Sequence, residues 1–207
     1  MPPVFGKESA NASFAGRCVS FPDHRLFWSV KEVTVALNAG VITVSDKGYA
    51  GEREDVSGPV LARALADMGA KVLKQTIVPD EPEEIAATLA QWADEGDLDV
   101  IFTTGGTGLT PRDQTPEATL KVLDRPVPGL AEVLRSEGYR RTPLAVLSRG
   151  VAGLRGKCLI INLPGSPKAV LEGMETLAPI LPHAVRMARG VDTEHGPEHD
   201  EHEHSHR

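Results

Sequence analysis

Residues 98–123, "LDVIFTTGGTGLTPRDQTPEATLKVL", decide the fold. They open as an apolar, β-branched run with no polar alternation, the pattern of a strand covered on both faces. Gly105, Gly106 and Gly108 then interrupt the chain. Beyond them, Thr115 at an N-cap, Pro116 at the first helical position and Glu117 in the first turn predict a helix. A buried strand that runs through a glycine loop into a helix is half of a βαβ unit, and such units build parallel sheets.

The same alternation extends both ways. Upstream, "VTVALNAGVITVS" (33–45) and "KVLKQTIV" (71–78) read as strands, and "SGPVLARALADMGA" and "EPEEIAATLAQWADEG" read as helices. Downstream, "GLAEVLRSEGY" is helical and "KCLIINLP" is another buried strand. "SPKAVLEGMETLAPILPHAVRMARG" is helix interrupted at Pro179 and Pro182. The predicted fold is α/β, a three-layer sandwich whose mostly parallel sheet is covered by helices on both faces. No internal repeat is present.

Composition sets the outer limits. The 207 residues, 41% apolar and 25% charged, suit one globular domain. Aromatics at 4% leave the core to Val, Leu, Ile and Ala. Residues 194–207 carry five acids and one Arg, so more than half of the net charge of -7 sits at one end. That balance, without any Lys/Arg run, argues against nucleic acid. There is no 18-residue apolar run and no basic-then-apolar leader, so no membrane partner is expected and the default location is cytoplasmic. Cys18 and Cys158 are too few for a disulfide framework or a metal cage, and Cys158 reads as a buried small hydrophobe. Residues 1–32 read as an amino-terminal extension, either packed through Phe27 and Trp28 or disordered. Residues 33–191 form the domain. Residues 192–207 are an acidic, His-rich tail, solvated or able to collect Zn²⁺ or Ni²⁺.

In open α/β sheets, ligands bind beyond the carboxyl ends of the strands. Four polar loops are predicted there: "SDKGYAGERED", "VPDEP", "GGTGLTPRD" and "LPGSPK". The glycines permit positive φ and let successive N–H groups converge on an anion at a helix start. The spacing is neither that of a P-loop nor that of a dinucleotide fingerprint, and a tight turn without ligand is the alternative. Asp113 and Asp80 could be plain turn or cap carboxylates. Together beside a glycine loop they suit a hard cation held against phosphate. Ser166 and Pro167 start a helix, and Lys168 could add charge to a second anion site there. Ser148 and Arg149 read as surface when taken alone. The acidic loop after the first strand reads as an ordinary loop ended by a Ser57 cap, or as a flexible rim carrying Asp46 and Asp55.

Taken together, "VITVSD" (41–46), "DVSG" (55–58), "PDE" (79–81), "TTGGTGLTPRDQTPEAT" (103–119), "LSR" (147–149) and "NLPGSPK" (162–168) resemble the molybdopterin adenylyltransferase family of the MogA/MoaB type. The resemblance runs from about Val33 to Gly190, and its Gly-Gly-Thr-Gly-x-x-x-x-Asp-x-Thr-Pro spacing is specific. It implies an α/β sandwich that assembles as a homotrimer. It also implies transfer of AMP from ATP to the molybdopterin phosphate, with Mg²⁺ and release of pyrophosphate, and hand-over to a molybdenum-inserting enzyme. By the same resemblance, Gly105, Gly106, Thr107 and Gly108 cradle nucleotide phosphates, and Asp80 and Asp113 are essential and position Mg²⁺. Ser45, Asp46, Ser148, Pro164, Gly165, Ser166 and Lys168 form the pterin and phosphate pocket. A non-catalytic pterin-binding or scaffold relative of the same fold is the competing implication.

Overall fold

The computed structural model describes residues 37–191, so the predicted extension and tail lie outside the described residues. Four strands are parallel: β1 (Asn38–Val44), β2 (Lys71–Val78), β3 (Val100–Thr104) and β6 (Cys158–Leu163). Two short strands, β4 (Arg125–Pro126) and β5 (Ala152–Arg155), extend the sheet antiparallel to their neighbours, in the order β2-β1-β3-β6-β5-β4. The helices are α1 (Asp46–Tyr49), α2 (Ser57–Asp67), α3 (Pro82–Asp94), α4 (Thr115–Val122), α5 (Pro128–Arg141), α6 (Pro167–Leu177) and α7 (Leu181–Arg189). A 3-10 turn follows α5 at Pro143–Leu147.

Each central strand is apolar on both sides because each side has its own core. Val41, Phe102 and Ile161 align across β1, β3 and β6 and pack with Leu61 and Leu65 of α2, Val170 of α6 and Val185 of α7. Their neighbours Ile42, Ile101 and Ile160 point the other way, against Ile85 and Leu89 of α3 and Ala118 of α4. The two-residue strand period thus sorts one apolar run into two cores. Burial of each such Leu or Ile contributes roughly 1.5–3 kcal/mol before the entropy of ordering it. Cys158 packs in the second core, and burial pushes its thiol pKa up to about 12, so it behaves as a hydrophobe.

This sorting positions the crevice. The chain leaves β1 for α2 on the first face, and it leaves β3 for α4 on the second face. β1 and β3 are adjacent, so their loops part at that point of the carboxyl edge. Divergence of neighbouring crossovers opens a crevice there.

Candidate functional site

The loop after β3 folds as it does because two of its residues have no side chain. Gly105 has φ +106° and Gly106 has φ +62°. A Cβ on the first would lie 2.3 Å from the Val44 carbonyl oxygen, and on the second 2.2 Å from Thr115 Oγ1. Only glycine meets both demands, of space and of backbone angle. Thr115 is the first residue of α4 rather than its cap. Its hydroxyl donates to the Gly105 carbonyl at 3.0 Å and its N–H to the Gly106 carbonyl at 3.1 Å. The predicted cap thus serves to fasten the loop to the helix, because the tight turn at Gly105–Gly106 brings those carbonyls within its reach.

The carboxylates come from three loops. Asp46, after β1, and Asp80, after β2, exchange hydrogen bonds: Asp46 N–H donates to Asp80 Oδ2 at 2.8 Å, and Asp80 N–H to Asp46 Oδ1 at 2.9 Å. Arg112 donates to both Asp46 oxygens at 2.8 Å and to Glu81 Oε1 at 2.8 Å, which joins the third loop to the first two. The Asp80 backbone N–H, helped by Arg112, holds the Asp46 carboxyl below the usual range. Burial pushes Asp80 up, with the Asp46 and Asp113 charges adding to it. Asp113 accepts from Thr110 N–H at 2.7 Å. Burial pushes Asp113 up as well, but hydrogen bonds from Thr110 and Gly108 outweigh it and lower its pKa overall. An ionised Asp113 beside a desolvated Asp80 is a hard oxygen donor pair. Among the described residues no group of three or more His, Cys, Asp or Glu could hold a metal unaided. The pair fits a cation such as Mg²⁺ that takes its remaining ligands from phosphate and water.

A cavity of about 1030 Å³ lies over this edge. It has the size of a large small-molecule site. Of the residues named as candidates, Ser45, Asp80, Gly105, Gly106, Thr107, Gly108, Asp113, Ser148, Pro164, Gly165 and Ser166 line it. Asp46 and Lys168 do not. Asp46 is turned to Arg112, and Lys168 extends into solvent 3.9 Å from Glu172. Ser45 and Ser166 spend their hydroxyls as helix caps, accepting from Gly48 N–H at 3.1 Å and Ala169 N–H at 3.2 Å.

Other lining residues went unpredicted. Thr43 donates to Asp55 Oδ2 at 2.7 Å, and Asp55 Oδ1 accepts from Gly58 N–H at 3.0 Å. The Asp55 carboxylate therefore satisfies a first-turn N–H of α2, whose N-cap position is Val56, and the predicted cap Ser57 is the first helical residue. Asp55 also anchors the acidic loop after β1, which favours the ordinary-loop reading over the flexible rim. Asn162 of β6 donates to Thr103 and Thr119 at 2.9 Å each, a buried polar bridge from sheet to α4. The "DVSG" and "NLPGSPK" segments contain Asp55 and Asn162, but the partners of these two residues lie elsewhere in the chain and no local rule names them.

The family described as a "probable molybdopterin binding domain" matches residues 40–183. A molybdopterin adenylyltransferase of Helicobacter pylori is 40% identical over 156 residues, covering 74% of this chain and 89% of that protein. The molybdenum cofactor synthesis protein cinnamon of Drosophila melanogaster is 43% identical over 153 residues, but the match covers 26% of that protein against 73% of this chain. Among solved structures, the molybdopterin biosynthesis enzyme MoaB from Thermus thermophilus is 53% identical with a TM-score of 0.71, covering 74% of this chain and 97% of that one.

Proposed function

This chain belongs to the molybdopterin-binding domain family, and from that premise we propose that it is a molybdopterin adenylyltransferase of molybdenum cofactor biosynthesis. Its reaction would join a phosphate oxygen of molybdopterin to the α-phosphorus of ATP and break the α–β bridging P–O bond, with pyrophosphate leaving. The observation that carries this reading is the meeting of the Gly105–Gly106 bend with Asp80 and Asp113 in one cavity. Two anions must approach each other in such a transfer, so the protein's task is alignment and charge neutralisation.

The division of labour is the one the family resemblance implies, and the shared cavity supports it. The N–H groups of the Gly105–Gly108 loop and the Thr107 hydroxyl would hold nucleotide phosphates. Asp80 and Asp113 would hold Mg²⁺, whose chemistry there is to neutralise phosphate charge as it builds up on the leaving group. No general base is required, because a phosphate monoester is already largely ionised at neutral pH. Ser45, Ser148 and the Pro164–Ser166 segment would wall the pterin side. Asp46 would act through Asp80, by the reciprocal hydrogen bonds between them. Lys168 has no part in this reading. Assembly as a homotrimer and hand-over to a metal-inserting enzyme belong to the same proposal.

The test is an anaerobic assay with molybdopterin, ATP and Mg²⁺, following adenylylated product and pyrophosphate. Turnover that is lost in Asp80→Ala and Asp113→Ala, with pterin still bound, supports the transferase. Tight pterin binding with no product from the unaltered protein would make it a binding protein instead.

A further inference from the structure

Arg149 lies between two residues that line the cavity, Ser148 and Gly150, yet it does not line the cavity itself. It reaches behind the glycine loop. Its backbone N–H donates to the Thr107 carbonyl at 2.9 Å, and its guanidinium Nε to the Gly108 carbonyl at 2.7 Å. One terminal nitrogen donates to the Asp113 carbonyl, and the other pairs with Glu117 in the first turn of α4. One side chain and its own backbone thus hold the loop at Thr107, Gly108 and Asp113 and tie it to the helix that follows. The second Glu117 oxygen is buried without a hydrogen-bond partner, so this carboxylate bears a desolvation cost while it pairs with Arg149.

The consequence follows from the planar trans peptide, in which a carbonyl and the next N–H point in opposite directions. Carbonyls of Thr107, Gly108 and Asp113 turned to Arg149 turn the N–H groups of Gly108, Leu109 and Gln114 away from it. Gly108 lies against the Asp113 carboxylate, where a Cβ on it would fall 3.0 Å from Asp113 Oδ2. We propose that Arg149 is a positioning residue: from behind the loop it sets the direction of the Gly108 N–H and of the Asp113 carboxylate, without touching the ligand. This inference rests on the reading that the loop holds phosphate. A lysine cannot replace it, since one ammonium cannot serve the separated acceptors that a planar guanidinium serves at once.

The experiment uses the full chain with Arg149→Lys and Arg149→Ala. Both should lower kcat by about 10²-fold, the effect of slight misplacement of reacting groups. KM for ATP should rise by about tenfold as the loop N–H groups turn from the phosphates, and the melting temperature of Arg149→Lys should stay close to that of the unaltered protein. Added guanidinium should restore part of the kcat of Arg149→Ala and none of that of Arg149→Lys. A kcat within threefold of the unaltered protein in both variants, or a loss that only tracks the unfolded fraction, overturns the proposal. If the unaltered protein itself transfers no AMP, the proposed function fails, and calorimetric binding of Mg²⁺-pyrophosphate then decides for Arg149. Binding weakened tenfold or more in both variants upholds its role, and unchanged binding overturns it.

Discussion

Asp80 sits in the candidate site at a cost to the fold. Burial raises its pKa, so between the ordinary aspartate value and the raised one the native state binds more protons than the unfolded chain. Stability contributed by the protonated form is full at the acid side of that window and is lost as pH rises through it. Asp80→Asn keeps an acceptor for the Asp46 N–H and removes the charge. In metal-free buffer its melting temperature should match that of the unaltered protein near pH 3 and exceed it at pH 7. Its turnover should fall by about 10²-fold or more, as for loss of one preorganised electrostatic group. Melting curves across that pH range check the sign; a variant that is less stable at pH 7 would mean that the carboxylate is satisfied in the fold. The placement of Asp80 and Asp113 at the carboxyl edge was legible in the sequence because each lies in a loop that follows a predicted strand. The partners of Arg112 and Arg149 were not. A long cation can reach many acceptors, and which it takes is settled only when loops 30 or more residues apart in the chain come together.

At the scale of elements, the loop after β3 and the start of α6 are two helix entrances built differently. The first depends on backbone angles that only glycine adopts cheaply, and the second on a side-chain cap. Gly106→Ala places a Cβ against Thr115 Oγ1 at φ +62°, so it should destabilise the protein by roughly 1–3 kcal/mol. It should also weaken ATP binding, since the N–H directions shift with the loop. Ser166→Ala removes the acceptor for Ala169 N–H and should cost about 1 kcal/mol, with little effect on ATP binding. Urea unfolding and nucleotide titration of the two variants separate these effects; equal loss of binding in both would show that ATP senses only global stability. The apolar runs, the glycine loop and the Ser166 cap were all readable, because each rests on local rules. β4 and β5 were not, since two and four residues, among them exposed Arg125 and Pro126, carry no strand periodicity and pair only because β6 offers an open edge.

For the whole molecule, the sheet separates two cores that share strands but not side chains. Leu61 is fully buried on one face and Leu89 on the other, and neither lines the cavity. Each Leu→Ala change should cost about 2–5 kcal/mol, the lost transfer energy plus a cavity. With no shared contacts across the sheet, the double variant should lose the sum to within about 0.5 kcal/mol. Denaturant unfolding of the single and double variants measures this. The alternation of Val41 with Ile42, and of Ile101 with Phe102, implies that additivity, because neighbouring residues on a strand face opposite layers. Carboxyl-edge loops, by contrast, are joined through Arg112 and the Asp46–Asp80 exchange. Cavities in either core should therefore leave turnover per folded molecule close to that of the unaltered protein. A double variant that loses several kcal/mol more than the sum, or that loses turnover while folded, would mean that strain crosses the sheet and that the two faces do not act as separate cores.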